Sequence, residues 1–273
     1  MKLVCIGDIG IDFYKNRDIL KPGGIAFNVA VNAHSSGASV SLVSAVGTDV
    51  YGNKIDTLLK KIDINTTHLK KIEGHTALQN IILENTGERK FVGYNAGILK
   101  YWTLTHQDLD FIATHNVMFV PLSDGMEHIF ESIKNLQTSA MKSVDFSQDY
   151  EKADFDKKEN CITRYAKYFD IIFIGATTKQ KSMIAHLSQH YSNKIFILTL
   201  GSKGSIAWHK GKQYEQPAQK VTKIIDTTGC GDAFQGTFIV TFIQTNDIQK
   251  SLKHASIQAS SILKHIGSTK YFL

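Results

Sequence analysis

Short apolar runs alternate with longer amphipathic segments over most of the chain. The runs are rich in branched side chains, which is typical of buried parallel strands, and they cover 3–6, 40–45, 117–120, 143–146, 171–174 and 195–200. The segments between them have the apolar spacing of helices, and they cover 25–36, 51–62, 125–138, 161–168 and 179–191. This order predicts an α/β fold in which a doubly wound, mostly parallel sheet is flanked by helices.

Two regions, 11–20 and 67–94, interrupt this alternation. The second contains strand-like stretches at 68–72, 78–83 and 90–94, separated by the turn signals Glu73-Gly74 and 85–88. Strands inserted before and after the first helical layer predict a small β-sheet lid. We therefore expect one α/β domain over 1–273, with a lid formed by about 11–20 and 67–94.

Composition fits an ordinary soluble enzyme. The chain has 273 residues, of which 42% are hydrophobic and 21% charged, and no apolar run approaches the ~20 residues that span a bilayer. The run 3–6 is too short for a secretory signal, and three widely spaced cysteines predict neither disulfides nor a zinc site. We expect a cytoplasmic protein. The net charge of +6 is scattered along the chain, so a nucleic-acid partner is not expected.

A glycine-rich heptapeptide, 226–232, stands directly before a long apolar run. Glycines on either side of Cys230 let the backbone approach a ligand, and the helix that follows points its free amides and its positive end there. This is a site for an anion, and the carboxylate of Asp232 within it can accept a proton from an attacking hydroxyl. The alternative is a structural turn that opens a buried helix.

A second motif lies near the start of the chain. Asp8 and Asp12 follow the first strand, where a ligand crevice is expected, and Gly23, Gly24 and Asn28 open the next helix. Carboxylates at such a place can accept directional hydrogen bonds from sugar hydroxyls. Taken alone, either aspartate is better explained as a solvated loop acid.

The two motifs together resemble the ribokinase/PfkB family of carbohydrate and nucleoside kinases. The resemblance also covers 46–49 with Tyr51-Gly52, and 199–204, so it extends over nearly the whole chain. It implies an ATP- and Mg²⁺-dependent kinase that phosphorylates a primary hydroxyl of a sugar-like molecule. It also implies that the lid covers the sugar and, as in several members, pairs two subunits as a homodimer.

The resemblance also implies a role for each matching residue. Asp232 is the catalytic base, and the amides of Gly229, Cys230 and Gly231 hold the phosphoryl group. The remaining roles are substrate binding by Asp8, Asp12, Gly23, Gly24, Asn28 and Arg89, nucleotide binding by Thr199, Gly201, Lys203, Gly204, Gly229 and Gly231, and a K⁺ site near Asp226, Thr228 and Gly267. For Lys203 an exposed turn lysine, and for Arg89 an ordinary strand-edge arginine, are the alternatives.

One departure from the family concerns the metal. The family carries Asn-x-x-Glu after a mid-chain strand, where the Glu helps to organise Mg²⁺, but 175–179 here contains neither residue and Lys179 stands in the place of the Glu. This puts in doubt how Mg²⁺ is held, although the ion is bound largely by nucleotide oxygens and water. It also keeps open a second interpretation, a catalytically weak sugar-binding regulatory protein.

Within the family the short chain and Asp145-Phe146-Ser147 resemble the members that phosphorylate fructoselysine at its 6-hydroxyl. Fructose, ribose and a deoxygluconate remain alternatives. Neither Gly-x-Gly-x-x-Gly after the first strand nor a P-loop is present, so a dehydrogenase and a P-loop kinase are not expected. Cys230, where the family often has Ala, is either a reactive thiol with a lowered pKa at a helix N-terminus or a buried filler.

Overall fold

The structure is a computed structural model that describes residues 1–123, 125–146, 155–175 and 178–272; the side chains of 155–159 and 179 are not described. The strands are β1 Lys2–Ile6, β2 Gly10–Tyr14, β3 Ile19–Gly23, β4 Ser39–Gly47, β5 Leu69–Ile72, β6 Ala77–Leu83, β7 Arg89–Asn95, β8 Val117–Pro121, β9 Met141–Asp145, β10 Ile171–Gly175, β11 Ile195–Thr199, β12 Ser205–His209 and β13 Lys212–Gln216. The helices are α1 Ile25–Ser35, α2 Val50–Lys61, α3 His106–Ala113, α4 Glu127–Lys134, α5 Phe155–Tyr165, α6 Lys181–His190, α7 Cys230–Thr245 and α8 Ile248–Ile262.

A nine-stranded sheet forms the centre of the molecule. Its order is β13-β12-β11-β10-β9-β8-β1-β4-β5, and every pairing from β11 to β5 is parallel, while β12 and β13 add an antiparallel edge. The chain builds outward from β1 in both directions, which is the doubly wound arrangement. The predicted fold class is confirmed.

Helices cover both faces of this sheet, because alternate strand residues point to opposite sides. In β1, Leu3 and Cys5 belong to one core cluster, while Val4 and Ile6 belong to the other. The first cluster takes in apolar residues of α1, α2, α7 and α8, and the second takes in those of α3, α4, α5 and α6. Strands buried on both faces explain the continuous apolar runs in the sequence.

A separate four-stranded sheet has the order β3-β2-β6-β7. It forms the expected lid, but with one correction: the stretch 68–72, assigned to the lid from sequence, forms β5 at the edge of the large sheet, parallel to β4. Apolar alternation identifies a strand but does not reveal its partner, and this explains the error. That both sheets belong to one domain stays a prediction.

The predicted helices differ from the observed ones mainly at their ends. The segment 125–138 contains the shorter helix α4, and α5 begins before position 161. None of the helices within the described ranges is both long enough and apolar enough to cross a bilayer.

Candidate active site

A cavity of about 510 Å³ opens at the carboxyl ends of the parallel strands, beside β1 and β8. Chain order reverses between these two strands, and ligand sites of open α/β sheets lie at such points. Predicted site residues from both motifs line it: Asp8, Asp12, Gly24, Asn28, Arg89, Thr199, Thr228, Gly229, Gly231 and Asp232. The structure therefore brings together two motifs that are about 200 positions apart in the sequence.

The glycine-rich turn is fixed by packing against a later loop. Gly229 precedes α7 with a φ of +80°, and a Cβ at this position would lie 2.3 Å from the Cβ of Ser268. No other residue fits this left-handed, crowded position. At Gly231, in contrast, a Cβ would have no heavy atom within 4 Å, so this backbone faces the open cavity. The backbone of Gly229 and Gly231 therefore lines the cavity, whereas the amide of Cys230 donates a 3.4 Å hydrogen bond to the carbonyl oxygen of Thr227. Anion binding at this turn stays a prediction.

Asp232 lies in the first turn of α7 and is half-buried. The Nδ2 of Asn28 donates a 2.7 Å hydrogen bond to its Oδ2. The pKa of Asp232 is raised to about 7, chiefly by burial; the hydrogen bond from Asn28 opposes this, the charges of Asp145 and Asp8 add to it, and Arg89 lowers it. A carboxylate with a pKa near neutrality is well matched to accepting a hydroxyl proton at physiological pH.

The two N-terminal aspartates differ in their roles. The carboxylate of Asp8 accepts hydrogen bonds from the amides of Ile25 (2.9 Å) and Ala26 (3.2 Å), so it closes the first turn of α1. This capping role is not evident from the sequence. Asp12 is buried, and its carboxylate packs directly on Gly23, where a Cβ would lie 2.3 Å from its Cγ.

The pKa values of both aspartates are raised. Burial is the main cause at Asp8, opposed by the amides that it caps. At Asp12, burial raises the pKa to about 8 with the help of neighbouring carboxylates, chiefly Asp232, while Arg89 opposes the shift. Asp8, Asp12 and Asp232 therefore form an acidic cluster whose protonation equilibria are coupled.

Arg89 brings positive charge from the lid into this cluster. Its Nη1 donates to the carbonyl oxygen (3.3 Å) and the Oγ1 (3.0 Å) of Thr227, next to the glycine-rich turn. Its Nε is buried and has no acceptor among the described residues. Arg89 is thus held at the boundary between the lid and the anion site, where it lowers the pKa of both Asp12 and Asp232.

Asp226, predicted near a K⁺ ion, is a buried hydrogen-bond acceptor outside the cavity lining. Its Oδ1 accepts from the amide (2.8 Å) and hydroxyl (2.7 Å) of Thr228, and its Oδ2 accepts from the Tyr14 hydroxyl (2.6 Å) and the Gly267 amide (2.8 Å). Four donors therefore occupy both oxygens. This set satisfies the carboxylate with protein hydrogens, and it does not fit a metal ion bound at the Asp226 side chain.

The predicted nucleotide residues are only partly brought to the cavity. Thr199 lines it at the end of β11, but the lining formed by the described residues does not reach Gly201, Lys203 or Gly204. Gly204 has a φ of +95°, and a Cβ there would lie 2.1 Å from the carbonyl oxygen of Gln216, so packing against β13 explains this glycine. Lys203 is exposed.

Residues around the metal-related departure are described only in part. Ala176 and Thr177 lie outside the described residues, as does Ser147, and the side chain of Lys179 is not described. Among the described residues, no three His, Cys, Asp or Glu side chains are grouped to hold a metal ion. The side chains within the described ranges therefore do not form a preorganised Mg²⁺-binding site.

The structure distinguishes the two interpretations of Cys230. Its pKa is raised to about 12, chiefly by burial, which Arg89 opposes and the carboxylates of Asp226 and Asp232 reinforce. This contradicts a lowered pKa at the helix N-terminus and favours the alternative, a buried filler. Cys230 lies at the turn, but it is not among the residues that line the cavity.

Several cavity residues were missed from the sequence. Asp145 ends β9, Ser123 follows β8, and Gln235 lies one turn after Asp232. The Oγ of Ser123 and the Oε1 of Gln235 are buried without a partner among the described residues. Gln79, Phe91 and Tyr94 form a wall on the lid. Asp145 and Ser123 could have been found from the sequence, because they lie at or just after the ends of predicted strands. The lid residues belong to no motif, so the sequence gives no signal for them.

The pfkB family carbohydrate kinase model matches residues 1–271. The fructosamine kinase FrlD of Bacillus subtilis (strain 168) is 28% identical, with 99% of this chain and 94% of the relative covered. The fructoselysine 6-kinase of Escherichia coli (strain K12) is 24% identical, with 97% and 98% covered. A double mutant of the fructokinase from Vibrio cholerae O395, solved with fructose, ADP and a potassium ion, has a TM-score of 0.81 at 18% identity, with 98% and 94% covered.

Proposed function

Since the chain belongs to the pfkB family of carbohydrate kinases, we propose that it transfers the γ-phosphoryl group of ATP to the 6-hydroxyl of a fructosamine such as fructoselysine. Its class is that of an ATP-dependent sugar kinase with an alcohol as acceptor. The fructosamine assignment is supported by similarity to a fructosamine kinase over 99% of the chain. The cavity adds support from its chemistry.

The sugar end of the cavity suits a polyhydroxylated ring. Asp12 and Asn28 offer a carboxyl and an amide group, and Asp8 lines the same cavity. The 6-hydroxyl is placed near Asp232, which accepts its proton as the oxygen attacks the γ-phosphorus and ADP departs with the electrons of the broken P–O bond. The amides of Gly229, Cys230 and Gly231 stabilise the charge on the phosphoryl oxygens.

When bound with ATP, Mg²⁺ would neutralise charge on the β- and γ-phosphates. Since no three acidic, His or Cys side chains are grouped among the described residues, nucleotide oxygens and water would supply most of its ligands. The acidic side chain of Asp145 lines the same cavity and could accept hydrogen bonds from such waters. Thr199, at the end of β11, is the cavity residue that we assign to the nucleotide.

The single observation that carries the fructosamine proposal within the cavity is the aromatic lid wall. Phe91 and Tyr94 line the cavity while remaining 38% and 46% exposed, and Gln79 stands opposite Tyr94 on the neighbouring strand. Partly exposed aromatic faces at the mouth of a sugar site can cover the methylene chain of a lysine tail. The buried Nε of Arg89, which has no acceptor among the described residues, can bind the tail's carboxylate.

Steady-state kinetics on a sugar panel test the assignment. We expect kcat/KM for fructoselysine to exceed that for fructose and ribose by about a hundredfold or more, which corresponds to ~3 kcal/mol of differential binding. Tyr94→Ala should raise KM for fructoselysine but not for fructose, whereas Ile257→Ala, at an exposed residue of α8 outside the lid, should change neither. Equal or better turnover of ribose, fructose or a deoxygluconate would reject the fructosamine and leave the kinase.

We also propose that two lids associate to form a homodimer. Ile82 and Val92 are large apolar residues of the lid that are 37% and 47% exposed, and β7 is an edge strand. Exposed apolar side chains on a sheet edge are typical of association surfaces. Light scattering should then give twice the chain mass, reduced by Val92→Lys but not by Tyr101→Lys, an exposed aromatic outside the lid.

A cytoplasmic location is part of the proposal. The three cysteines are all free, which suits a reducing compartment. Fractionation of the cells that make the protein tests this, and recovery with a periplasmic or membrane fraction would contradict it. The expectation that nucleic acid is not a partner stays a prediction.

A further inference from the structure

A lysine side chain is buried in the corner behind the glycine-rich turn. Lys21, on β3, is only 1% exposed, and its Nζ donates a 2.9 Å hydrogen bond to the carbonyl oxygen of Tyr271. The ammonium also lies over the ring of Phe272, 3.3 Å from its centroid, in a cation–π contact. A lysine is rarely buried to this extent unless its charge is needed or compensated.

This corner is the one in which the family resemblance implies a monovalent cation. The stem of Lys21 packs on Gly267, where a Cβ would lie 2.8 Å from the Lys21 Cε. The amide of Gly267 in turn donates to the Oδ2 of Asp226. Ser268, the next residue, is the one against which Gly229 packs. The lysine therefore touches the same loop that supports the anion site.

The contacts of the corner favour a cation. The Lys21 ammonium contacts the carbonyl oxygen of Tyr271 and the face of the Phe272 ring, which both attract positive charge. Asp226 is buried, and the four donors to its oxygens come from neutral groups. These hydrogen bonds occupy its oxygens but bring no net positive charge, so a cation in the same corner stabilises the carboxylate.

We propose that the ammonium of Lys21 takes the place of a monovalent metal cation behind the anion site, so that this kinase needs no K⁺. An ammonium is a compact single positive charge that donates to carbonyl oxygens, as Lys21 does to that of Tyr271. Because it is attached to the chain, no ion has to be captured from solution. Lys21 is a positioning residue that acts through Asp226, Gly267 and the turn at Gly229, and it does not touch the substrate.

The wild-type protein gives the first test. The inference rests on the kinase site but not on the identity of the sugar, so the readouts are ADP affinity by calorimetry and the melting temperature, each in KCl and in choline chloride of equal ionic strength. We expect both to agree between the salts. An ADP affinity that is about tenfold tighter in K⁺, equivalent to ~1.4 kcal/mol, would overturn the proposal.

A pair of variants tests whether Lys21 replaces a cation or has only a structural role. We expect Lys21→Met to bind ADP about tenfold more weakly in choline and to recover in K⁺. Lys194 is the matched control, since it is also a buried lysine and its Nζ donates to the carbonyl oxygen of Phe169. It lies at the amino end of β11, whereas the anion site lies at the carboxyl ends of the parallel strands. Lys194→Met should lower the melting temperature equally in both salts.

The remaining outcomes also decide the question. If Lys21→Met behaves like Lys194→Met and loses stability with no response to K⁺, the lysine is structural and the inference is wrong. If Lys21→Met folds only in K⁺, the inference is supported. If it folds in neither salt while Lys194→Met folds in both, the K⁺ ion does not replace the side chain and the inference is likewise wrong.

Discussion

The side-chain amide of Asn28 donates to the carboxylate of Asp232 at 2.7 Å, while its Oδ1 accepts a 2.6 Å hydrogen bond from the hydroxyl of Ser268. One amide thus joins the N-terminal motif to the glycine-rich turn and to the loop after α8. The orientation of the proposed base is set by a residue about 200 positions away. Asp232 is held in place before any substrate arrives.

Replacement of Asp232 by asparagine tests the proposed base. Asp232→Asn is nearly isosteric, so ADP binding and the melting curve should be retained, while kcat falls by roughly 10²- to 10⁴-fold. Asp110→Asn, at an exposed aspartate on α3, is the control and should keep wild-type kcat. Near-normal turnover of Asp232→Asn on the true substrate would assign the base to another group.

The pH dependence of kcat/KM should depend on Arg89. In the free enzyme the pKa of Asp232 is about 7, so kcat/KM should fall as the pH drops through 7 and the base becomes protonated. Arg89 lowers the pKa of both Asp232 and Asp12, so Arg89→Met should move this acidic limb to higher pH. Lys90→Met, at the next residue of β7, should leave it unchanged. An unmoved limb in Arg89→Met would contradict the assigned electrostatics.

Much of the fold and part of the site could be predicted from sequence because the signals are local. Buried strands appear as apolar runs, and the turn at Gly229 appears as a glycine pattern before an apolar helix. The strand at 68–72 was recognised, but its pairing with β4 depends on a partner that the sequence does not specify. Gly204 was assigned to the nucleotide, although its packing on Gln216 already requires a glycine.

The position of Lys21 could likewise not be predicted from the sequence. In the sequence it is one of many scattered lysines, and only the structure places it beside Tyr271 and Gly267. The lowered pKa offered as one interpretation of Cys230 is wrong for a related reason. A helix N-terminus is visible in the sequence, whereas the extent of burial is not. Long-range contacts and burial therefore account for what the sequence did not reveal.

A pair of glycine substitutions separates crowding from backbone strain. Gly229 and Gly211 have similar φ values of +80° and +72°, but a Cβ at Gly211 would have no heavy atom within 4 Å. Gly211→Ala should therefore lower the free energy of unfolding only by the strain of a left-handed alanine, about 1 kcal/mol. Gly229→Ala should lower the unfolding free energy further and reduce ADP affinity, because Ser268 must move. Equal losses in chemical denaturation would show that packing against Ser268 is unimportant.

Alkylation of Cys230 should be slow. With its pKa raised to about 12, the thiol is almost fully protonated at pH 8, and only the thiolate is an effective nucleophile. Mass spectrometry after iodoacetamide treatment should find Cys230 modified far more slowly in the native protein than in urea. Cys230→Ala should keep its activity, since the proposed anion site uses the backbone amide. Rapid native labelling that ATP prevents would restore the reactive-thiol interpretation.

The contact between Gly229 and Ser268 has a consequence for the chain as it is synthesised. Residues 8–28 leave the ribosome early, but the turn that completes their site cannot settle until residues beyond 268 have emerged. The large sheet can collect all of its strands before this point, because β1 to β13 precede the turn. We expect stalled chains that stop before 226 to be compact but unable to retain ADP, and nucleotide capture by chains of increasing length should reveal binding only in chains that extend beyond 268. The ability to bind nucleotide would then report that synthesis has passed the loop at 268.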